Sequence, residues 1–308
     1  MNISGISYFN IQTAGPLAAT RQLATSGNPV TSATSYGAPE PAGNDGDIGT
    51  YDSFGKLAPI SDSFVTSQPN GFEIYMPVRP GFSSNNLALA VTDPAAEPFS
   101  SGKTKTEVAE AARKAIDSRY AQMSGNGQPF GYNSHEGKDW YSALGDLDRR
   151  ALNAMRTDTT GLFSKEEKDM AASIMANQQG LAMGLYAGPI RLAETFVSDP
   201  SNHMAVGKAG ALWLDKVSYE EKTTSIEWME QRAATQRLYE HGAEHAGVEP
   251  EDLSSGFSFV DMLLQAYKDL EQLGEGYDLK DVPAYQKAFE LFANYAPAKQ
   301  QTASTLYL

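Results

Sequence analysis

The stretch that decides the fold is residues 104–123, which read TKTEVAEAARKAIDSRYAQM. Apolar residues recur in it every three or four positions, the spacing of one face of an α-helix. They are Val108, Ala112, Ala115, Ile116, Tyr120 and Met123. Thr104 followed three positions later by Glu107 matches the capping box that begins many helices. This stretch therefore predicts an amphipathic helix that buries one stripe of side chains against a core.

The same signals continue to the end of the chain. The predicted segments are a helix carrying Trp140, Leu144, Leu147, Ala151 and Met155, a helix opened by Ser164 and Glu167, a long helix opened by Ser218 and Glu221 that continues through Tyr239, a helix over residues 260–270, and a last helix opened by Pro283 that buries Tyr285, Ala288, Phe289 and Phe292. No internal repeat of fixed period accompanies them. The predicted fold class is mainly α, with residues 104–308 forming an irregular multi-helix domain.

The N-terminal third has a different composition. Residues 1–50 are rich in Ser, Thr, Gly, Ala, Pro and Asn, and such a segment buries too little apolar surface to offset the entropy of ordering it. We expect a polar, partly disordered arm there. In residues 51–103, the segment 72–78 (FEIYMPV) predicts a short strand at a sheet edge, and residues 87–91 predict either its partner strand or a helical turn. At most one or two short strands are expected in this extended region.

Composition restricts the partners of the chain. Among its 308 residues 41% are hydrophobic, so a substantial core is available, and the formal net charge is −14. This negative field repels nucleic acid and anionic membrane surfaces, so neither is an expected partner, whereas basic partners or cations are favoured. No stretch is long and apolar enough for a membrane span. The absence of Cys excludes disulfides, thiolate catalysis and zinc–thiolate sites.

The first residues carry no basic segment and no uninterrupted apolar core of the kind found in secretory signal peptides, and Arg21 is the first charged residue. Two locations stay open: the cytoplasm, with the N-terminal segment as a plain flexible tail, or export from a bacterium by a route that needs no classical signal peptide.

Residues 147–175 resemble an EF-hand, in which a loop of about 12 residues joins two helices and supplies calcium ligands. Aligning Gly161 with the invariant glycine of that loop implies a ligand set of Asp158, Thr160, the Leu162 carbonyl, Ser164 and Glu167. Arg156 stands where the family has its first Asp. An alternative needs no metal, because Ser164 and Glu167 form a complete capping box and Gly161 permits a turn.

A second short motif is His241-Gly242-Ala243-Glu244-His245, which is similar to the H-x-x-E-H motif of inverzincin metallopeptidases. The resemblance implies a zinc ion held by His241 and His245, with Glu244 as the general base. The alternative is a solvated helix end, because Gly247 and Pro250 stop a helix there.

Three hypotheses for function follow. The first is a non-enzymatic interaction or regulatory protein, with no cofactor, whose N-terminal arm or helical face binds a protein partner. The second is a calcium-responsive helical protein that uses the EF-hand-like loop. The third is a zinc-dependent hydrolase that uses the H-x-x-E-H motif.

Overall fold

The computed structural model of the chain describes residues 71–305, except residues 198, 200, 257 and 275, and describes no side chain beyond residue 294. The predicted arm at residues 1–50 lies outside the described residues. The α-helices of the described part are α1 Asn85–Thr92, α2 Lys105–Gly125, α3 Lys138–Leu144, α4 Arg149–Arg156, α5 Lys165–Ala182, α6 His203–Leu214, α7 Tyr219–Thr224, α8 Glu227–Ala246, α9 Ser258–Leu273 and α10 Pro283–Thr305. The described part contains no strand, which confirms the mainly α prediction.

Several helices begin where the sequence predicts. Thr104 and Ser164 each accept a hydrogen bond from the backbone N–H three residues on, and each capping box is completed by its glutamate. Pro283 opens α10. These starts depend on side chains within one turn of the helix end, so the local sequence is enough to locate them.

Other predictions are wrong in detail. Residues 72–78 contain a 3₁₀ helix at Glu73–Tyr75 in place of a strand, and α1 takes the place of its partner strand. The single helix expected from Trp140 to Met155 is divided, since Asp148 caps α4 as a separate helix. The long helix expected from Ser218 is also divided, because Ser225 adopts an extended conformation between α7 and α8. Phe289 is 50% exposed and does not belong to the buried stripe of α10.

A first hydrophobic core is built by α1 to α5 and the 3₁₀ helix Glu73–Tyr75. Its fully buried side chains include Met76, Leu87, Ile116 and Leu152. Residues 71–103 therefore contribute to the same core as α2.

A second hydrophobic core joins the C-terminal half of α6 to α8, α9 and α10. Helices α6 and α8 cross closely and antiparallel, because Gly207 lies against Tyr239 while Met204 lies against Gly242. A Cβ at Gly207 would come within 2.4 Å of the Tyr239 backbone nitrogen, so glycine permits the close approach of the two backbones. The N-terminal end of α6 is thereby placed beside the C-terminal end of α8.

The two cores meet at a buried polar seam formed by Arg149, Glu221, Gln178 and Trp213. The Arg149 guanidinium donates to both carboxylate oxygens of Glu221, at 2.9 and 2.6 Å, and to the Gln178 side chain at 2.9 Å. It also lies 4.4 Å from the centroid of the Trp213 ring. The Trp213 indole N–H donates to the Val91 carbonyl at 2.9 Å, so the second core is bonded to the end of α1.

In the described part of the chain, no helix combines the length and the apolar character that crossing a membrane requires.

Candidate functional site

The EF-hand-like segment forms a helix, a loop and a helix: α4 ends at Arg156, α5 begins at Lys165, and Gly161 has a φ of 84°. Arg156 does not enter the loop. Its guanidinium pairs with Glu227 of α8 and donates to the Asn153 side chain. The positive charge at the first loop position is therefore directed towards the second half of the chain.

The loop carboxylate of Asp158 is used within the loop. It accepts hydrogen bonds from the Thr160 hydroxyl and N–H, at 2.7 and 2.9 Å, and from the N–H groups of Gly161 and Phe163. Burial acts to raise the pKa of Asp158, but these hydrogen bonds outweigh it and the pKa is lowered. The carboxylate thus stabilises the turn as an anion.

The second carboxylate, Glu167, is directed at α2. Its oxygens accept from Arg113 at 2.9 and 2.8 Å and from the Tyr120 hydroxyl at 3.0 Å. The Ser164 hydroxyl accepts from the Glu167 N–H, and the Leu162 carbonyl accepts a long 3.4 Å contact from Arg113. Every predicted calcium ligand consequently has a protein hydrogen-bond partner. Across the described residues, no group of three or more His, Asp or Glu side chains is arranged to hold a metal.

The residues of the H-x-x-E-H motif lie on the last two turns of α8. The rings of His241 and His245 stack with centroids 4.4 Å apart. Glu244 accepts from Arg237 at 3.1 Å, and this hydrogen bond lowers its pKa. A carboxylate paired with a guanidinium is a weak base, so the geometry gives no support to Glu244 as a general base.

One cleft of the described chain is lined by aromatic rings that the sequence hypotheses did not include. We call it the aromatic cleft; its volume is about 550 Å³ and its lining residues are Tyr120, Phe130, Tyr132, Trp140, Ser164, Glu166 and Glu167. Phe130 packs edge-on against Trp140 at 4.8 Å, and Tyr132 packs on the same indole at 5.5 Å. Tyr132 is 46% exposed, which is high for a large aromatic side chain.

The wall of this cleft is held in place by hydrogen bonds. The Trp140 indole N–H donates to the Tyr132 carbonyl at 3.0 Å. Arg79 donates to the carbonyls of Gln128 and Pro129, at 2.6 and 3.2 Å, and pairs with Asp139. Asp139 in turn accepts from the Gly131 N–H at 2.7 Å. The loop that carries Phe130 and Tyr132 is therefore pre-organised, even though it has no regular secondary structure.

The rim of the aromatic cleft is acidic. Glu166 is exposed, and hydrogen bonds from its own backbone N–H and from the Ser164 side chain lower its pKa. The Glu167 charge is shared with Arg113, while burial, with a contribution from Glu167, raises the pKa of Tyr120. The cleft thus combines ring faces and a neutral phenol with the exposed carboxylate of Glu166.

The aromatic cleft had one signal in the sequence. Phe130 and Tyr132 stand in the Gly- and Asn-rich segment 124–134, where large aromatic side chains are uncommon in a simple turn. Comparison of the chain with protein-family models, with curated proteins and with solved structures finds no match.

Proposed function

We propose that this chain is a non-enzymatic interaction protein whose aromatic cleft docks a basic segment of a protein partner. The observation that carries the proposal is the combination, in one pre-organised cleft, of exposed aromatic surface at Tyr132 with the carboxylate of Glu166. Rigid aromatic side chains supply contact area with little loss of conformational entropy, which is why Tyr and Trp are enriched at protein interfaces.

A basic occupant is favoured by two features. A Lys or Arg side chain gains cation–π attraction from a ring face, worth about 0.5–1 kcal/mol at an exposed site and more when water is excluded. The formal net charge of −14 attracts basic partners over a longer range and increases their rate of association. An acidic or neutral segment would obtain neither contribution.

Calorimetric titration of the full chain with a short Lys-containing peptide, and with the same peptide carrying Gln at every Lys, tests the proposal. We expect the Lys peptide to bind and the Gln peptide to bind much more weakly. Binding of the Lys peptide should weaken as salt is added, because the charges are screened. Equal binding of both peptides, or none by either, would contradict the proposal.

Two variants locate the site. Tyr132→Ala should weaken binding of the Lys peptide about twofold to fivefold, as expected for loss of one exposed cation–π contact. Glu166→Gln should weaken it about threefold through loss of a surface charge pair. Tyr277→Ala and Glu290→Gln are matched controls, since both residues are exposed in the second half of the chain. Losses in the controls as large as those in the cleft variants would place the site elsewhere.

A further inference from the structure

The four rings of the aromatic cleft form a continuous, angled surface. Tyr120 contacts Phe130 with ring centroids 4.7 Å apart, and Phe130 and Tyr132 each contact Trp140, at 4.8 and 5.5 Å. The ring planes of these three pairs meet at 51°, 82° and 80°. Because neighbouring rings are steeply inclined, their faces point in different directions, and one ligand can contact more than one ring.

The rings differ in how far a ligand can reach them. Tyr132 is 46% exposed and Phe130 is half-buried, whereas Trp140 is 2% exposed and forms the buried base of the cluster. Tyr120 already has a cation beside it, since the guanidinium carbon of Arg113 lies 6.0 Å from its ring centroid. The ring surface that a second cation can reach is therefore concentrated on Tyr132 and Phe130.

The carboxylates beside these rings already accept hydrogen bonds from the protein. The oxygens of Glu167 accept from Arg113 at 2.9 and 2.8 Å and from the Tyr120 hydroxyl at 3.0 Å. The Glu166 carboxylate accepts from its own N–H and from the Ser164 side chain, and it remains an exposed negative charge at the rim. The cleft thus offers a ligand ring faces and a negative charge, while its carboxylate oxygens are already hydrogen-bonded.

This balance favours a cation that has no N–H group. A lysine ammonium has three N–H donors, which need acceptors when the group leaves water. A trimethylammonium group has the same charge and no donor, so it enters the cleft without losing a hydrogen bond. Its methyl groups also bury apolar surface against the rings. Aromatic ring faces are the usual receptor for quaternary ammonium groups.

We propose that the aromatic cleft selects a quaternary ammonium group, carried by the partner as a trimethylated lysine, over an unmodified lysine. The methyl groups contact Tyr132 and Phe130, and Glu166 balances the charge from the rim. This inference rests on the proposed function, in which the cleft docks a basic segment of a partner, and it adds the chemical form of the basic side chain.

Calorimetric titration of the full chain with three peptides tests the inference. The peptides share one sequence and differ at one side chain, which is lysine, trimethyllysine or a neutral analogue with a tert-butyl group in place of the trimethylammonium. We expect trimethyllysine to bind about fivefold to tenfold more tightly than lysine, because cation–π attraction is stronger for a cation that is desolvated. The tert-butyl peptide has the same shape but no charge, so it should bind more weakly than trimethyllysine.

The possible failures of the two proposals are distinguishable. Equal affinities of the lysine and trimethyllysine peptides would overturn this inference and leave the proposed function standing, whereas no binding by either would remove both. A tert-butyl peptide that binds as tightly as trimethyllysine would show that apolar burial alone selects the ligand, which also overturns the inference. Choline chloride probes a free small molecule as the source. Choline that binds as tightly as the trimethyllysine peptide would overturn the assignment to a partner side chain.

Variants at Tyr132 assign the preference to the ring. Tyr132→Phe keeps a ring face and should keep the preference for trimethyllysine. Tyr132→Leu keeps apolar volume without a ring, and the preference should fall to about twofold or less. Tyr277→Leu, at an exposed tyrosine in the second half of the chain, is the matched control and should behave as the wild type. Because the ratio of two affinities is taken within one variant, partial loss of folded protein does not change it.

A spectroscopic readout is independent of affinity. The N-methyl proton resonance of the trimethyllysine peptide should move upfield when the full chain is added, because methyl groups held over ring faces are shielded by the ring currents. The shift should be much smaller with Tyr132→Leu and unchanged with Tyr277→Leu. Binding of the peptide without an upfield shift would place the trimethylammonium group away from the rings and overturn the inference.

Discussion

The two halves of the described chain are stabilised in different ways. In the first half, α2 and α5 have 21 and 18 residues, but α1, α3 and α4 are eight residues long or shorter, and isolated helices of fewer than about 12–15 residues are marginal in water. In the second half, α8, α9 and α10 have 20, 16 and 23 residues. The short helices need fixed partners outside themselves, whereas the long ones can rely on an apolar stripe.

Those partners are polar side chains that reach across the first core. Asp148 caps α4 and also accepts hydrogen bonds from the Phe99 N–H, the Ser100 N–H and the Ser100 hydroxyl. Arg119 of α2 pairs with Asp146 in the turn between α3 and α4. The comparison teaches that the short helices α3 and α4 of the first half depend on specific polar contacts, whereas the crossing of α6 and α8 in the second half depends on steric fit.

The largest expected effect is at the seam, where the two modes of stabilisation meet. The Arg149 side chain is 3% exposed and that of Glu221 is 7% exposed. Arg149→Ala leaves the Glu221 carboxylate buried without its cation, and breaking a buried pair in this way costs about 3–5 kcal/mol. We expect the free energy of unfolding, measured with urea by circular dichroism and tryptophan fluorescence, to fall by that amount.

The neighbouring Arg150 provides a control for this substitution. Arg150 pairs with Glu220 and Glu97, which are about one-third exposed, so Arg150→Ala should lower the free energy of unfolding by only about 1 kcal/mol. If both variants lose the same stability, the seam does not hold the two cores together. Replacing both partners, in Arg149→Met with Glu221→Met, should recover much of the loss, because no unpaired charge is left behind.

A second prediction concerns alkaline pH, to which the first half should be more sensitive. Burial raises the pKa of five tyrosines in the described part, of which Tyr75, Tyr120, Tyr141 and Tyr186 lie in the first half and Tyr285 in the second. For Tyr141, burial raises the pKa from 10.0 to about 12, although the Asn177 amide bonded to its hydroxyl acts in the opposite direction.

The direction of this pH effect on stability follows from the number of protons bound by the folded and the unfolded chain. Between pH 10 and 12 the unfolded chain releases the Tyr141 proton while the folded chain retains it, so stability falls as the pH rises. The total loss from this one residue is about 2–3 kcal/mol. Below pH 10 this contribution to stability is fully present.

Urea unfolding measured from pH 9 to pH 12 checks this prediction. In Tyr141→Phe, the free energy of unfolding should fall less steeply with pH, by a slope that corresponds to about one proton, because the phenylalanine ring cannot ionise in either state. Tyr277→Phe, at an exposed ring in the second half, should follow the wild type. A wild-type slope unchanged by Tyr141→Phe would show that the alkaline sensitivity arises elsewhere.

The difference between the halves also explains which elements the sequence predicts. The starts of α2, α5 and α10 are signalled by residues within one turn, namely Thr104 with Glu107, Ser164 with Glu167, and Pro283. The break between α3 and α4 depends on Asp148 finding its partners at Phe99 and Ser100, almost 50 residues away. No local pattern carries that information, so the sequence predicts one continuous helix there.

Helix α6 was not predicted, for a related reason. Gly207 and Gly210 disfavour a helix by intrinsic propensity, and the reason for glycine at these positions is evident only when α8 lies against them.

The candidate sites also depend on contacts between distant segments, which the local sequence does not reveal. The pair His241 and His245 is visible as a motif, but His203 joins them only through the crossing of α6 and α8, and the four rings of the aromatic cleft come from three separate segments.

The smallest expected effect tests whether steric fit between α6 and α8 stabilises the second half. In Gly207→Ala the new Cβ would lie 2.4 Å from the Tyr239 nitrogen and 2.7 Å from the Thr235 carbonyl oxygen. Both atoms belong to the α8 backbone and cannot move aside as a flexible side chain could. Separating the helices to relieve the overlap should lower the free energy of unfolding by about 1–3 kcal/mol.

Gly180→Ala is the matched substitution in the first half, because it lies inside α5 and its Cβ would meet only Ala187 Cβ at an ordinary 3.6 Å. There the gain in helix propensity should raise stability by about 0.5–1 kcal/mol. Urea unfolding of the two variants should therefore give shifts of opposite sign. If Gly207→Ala is stabilising as well, α6 and α8 are not held at contact distance by glycine, and the position of His203 beside His241 and His245 loses its structural cause.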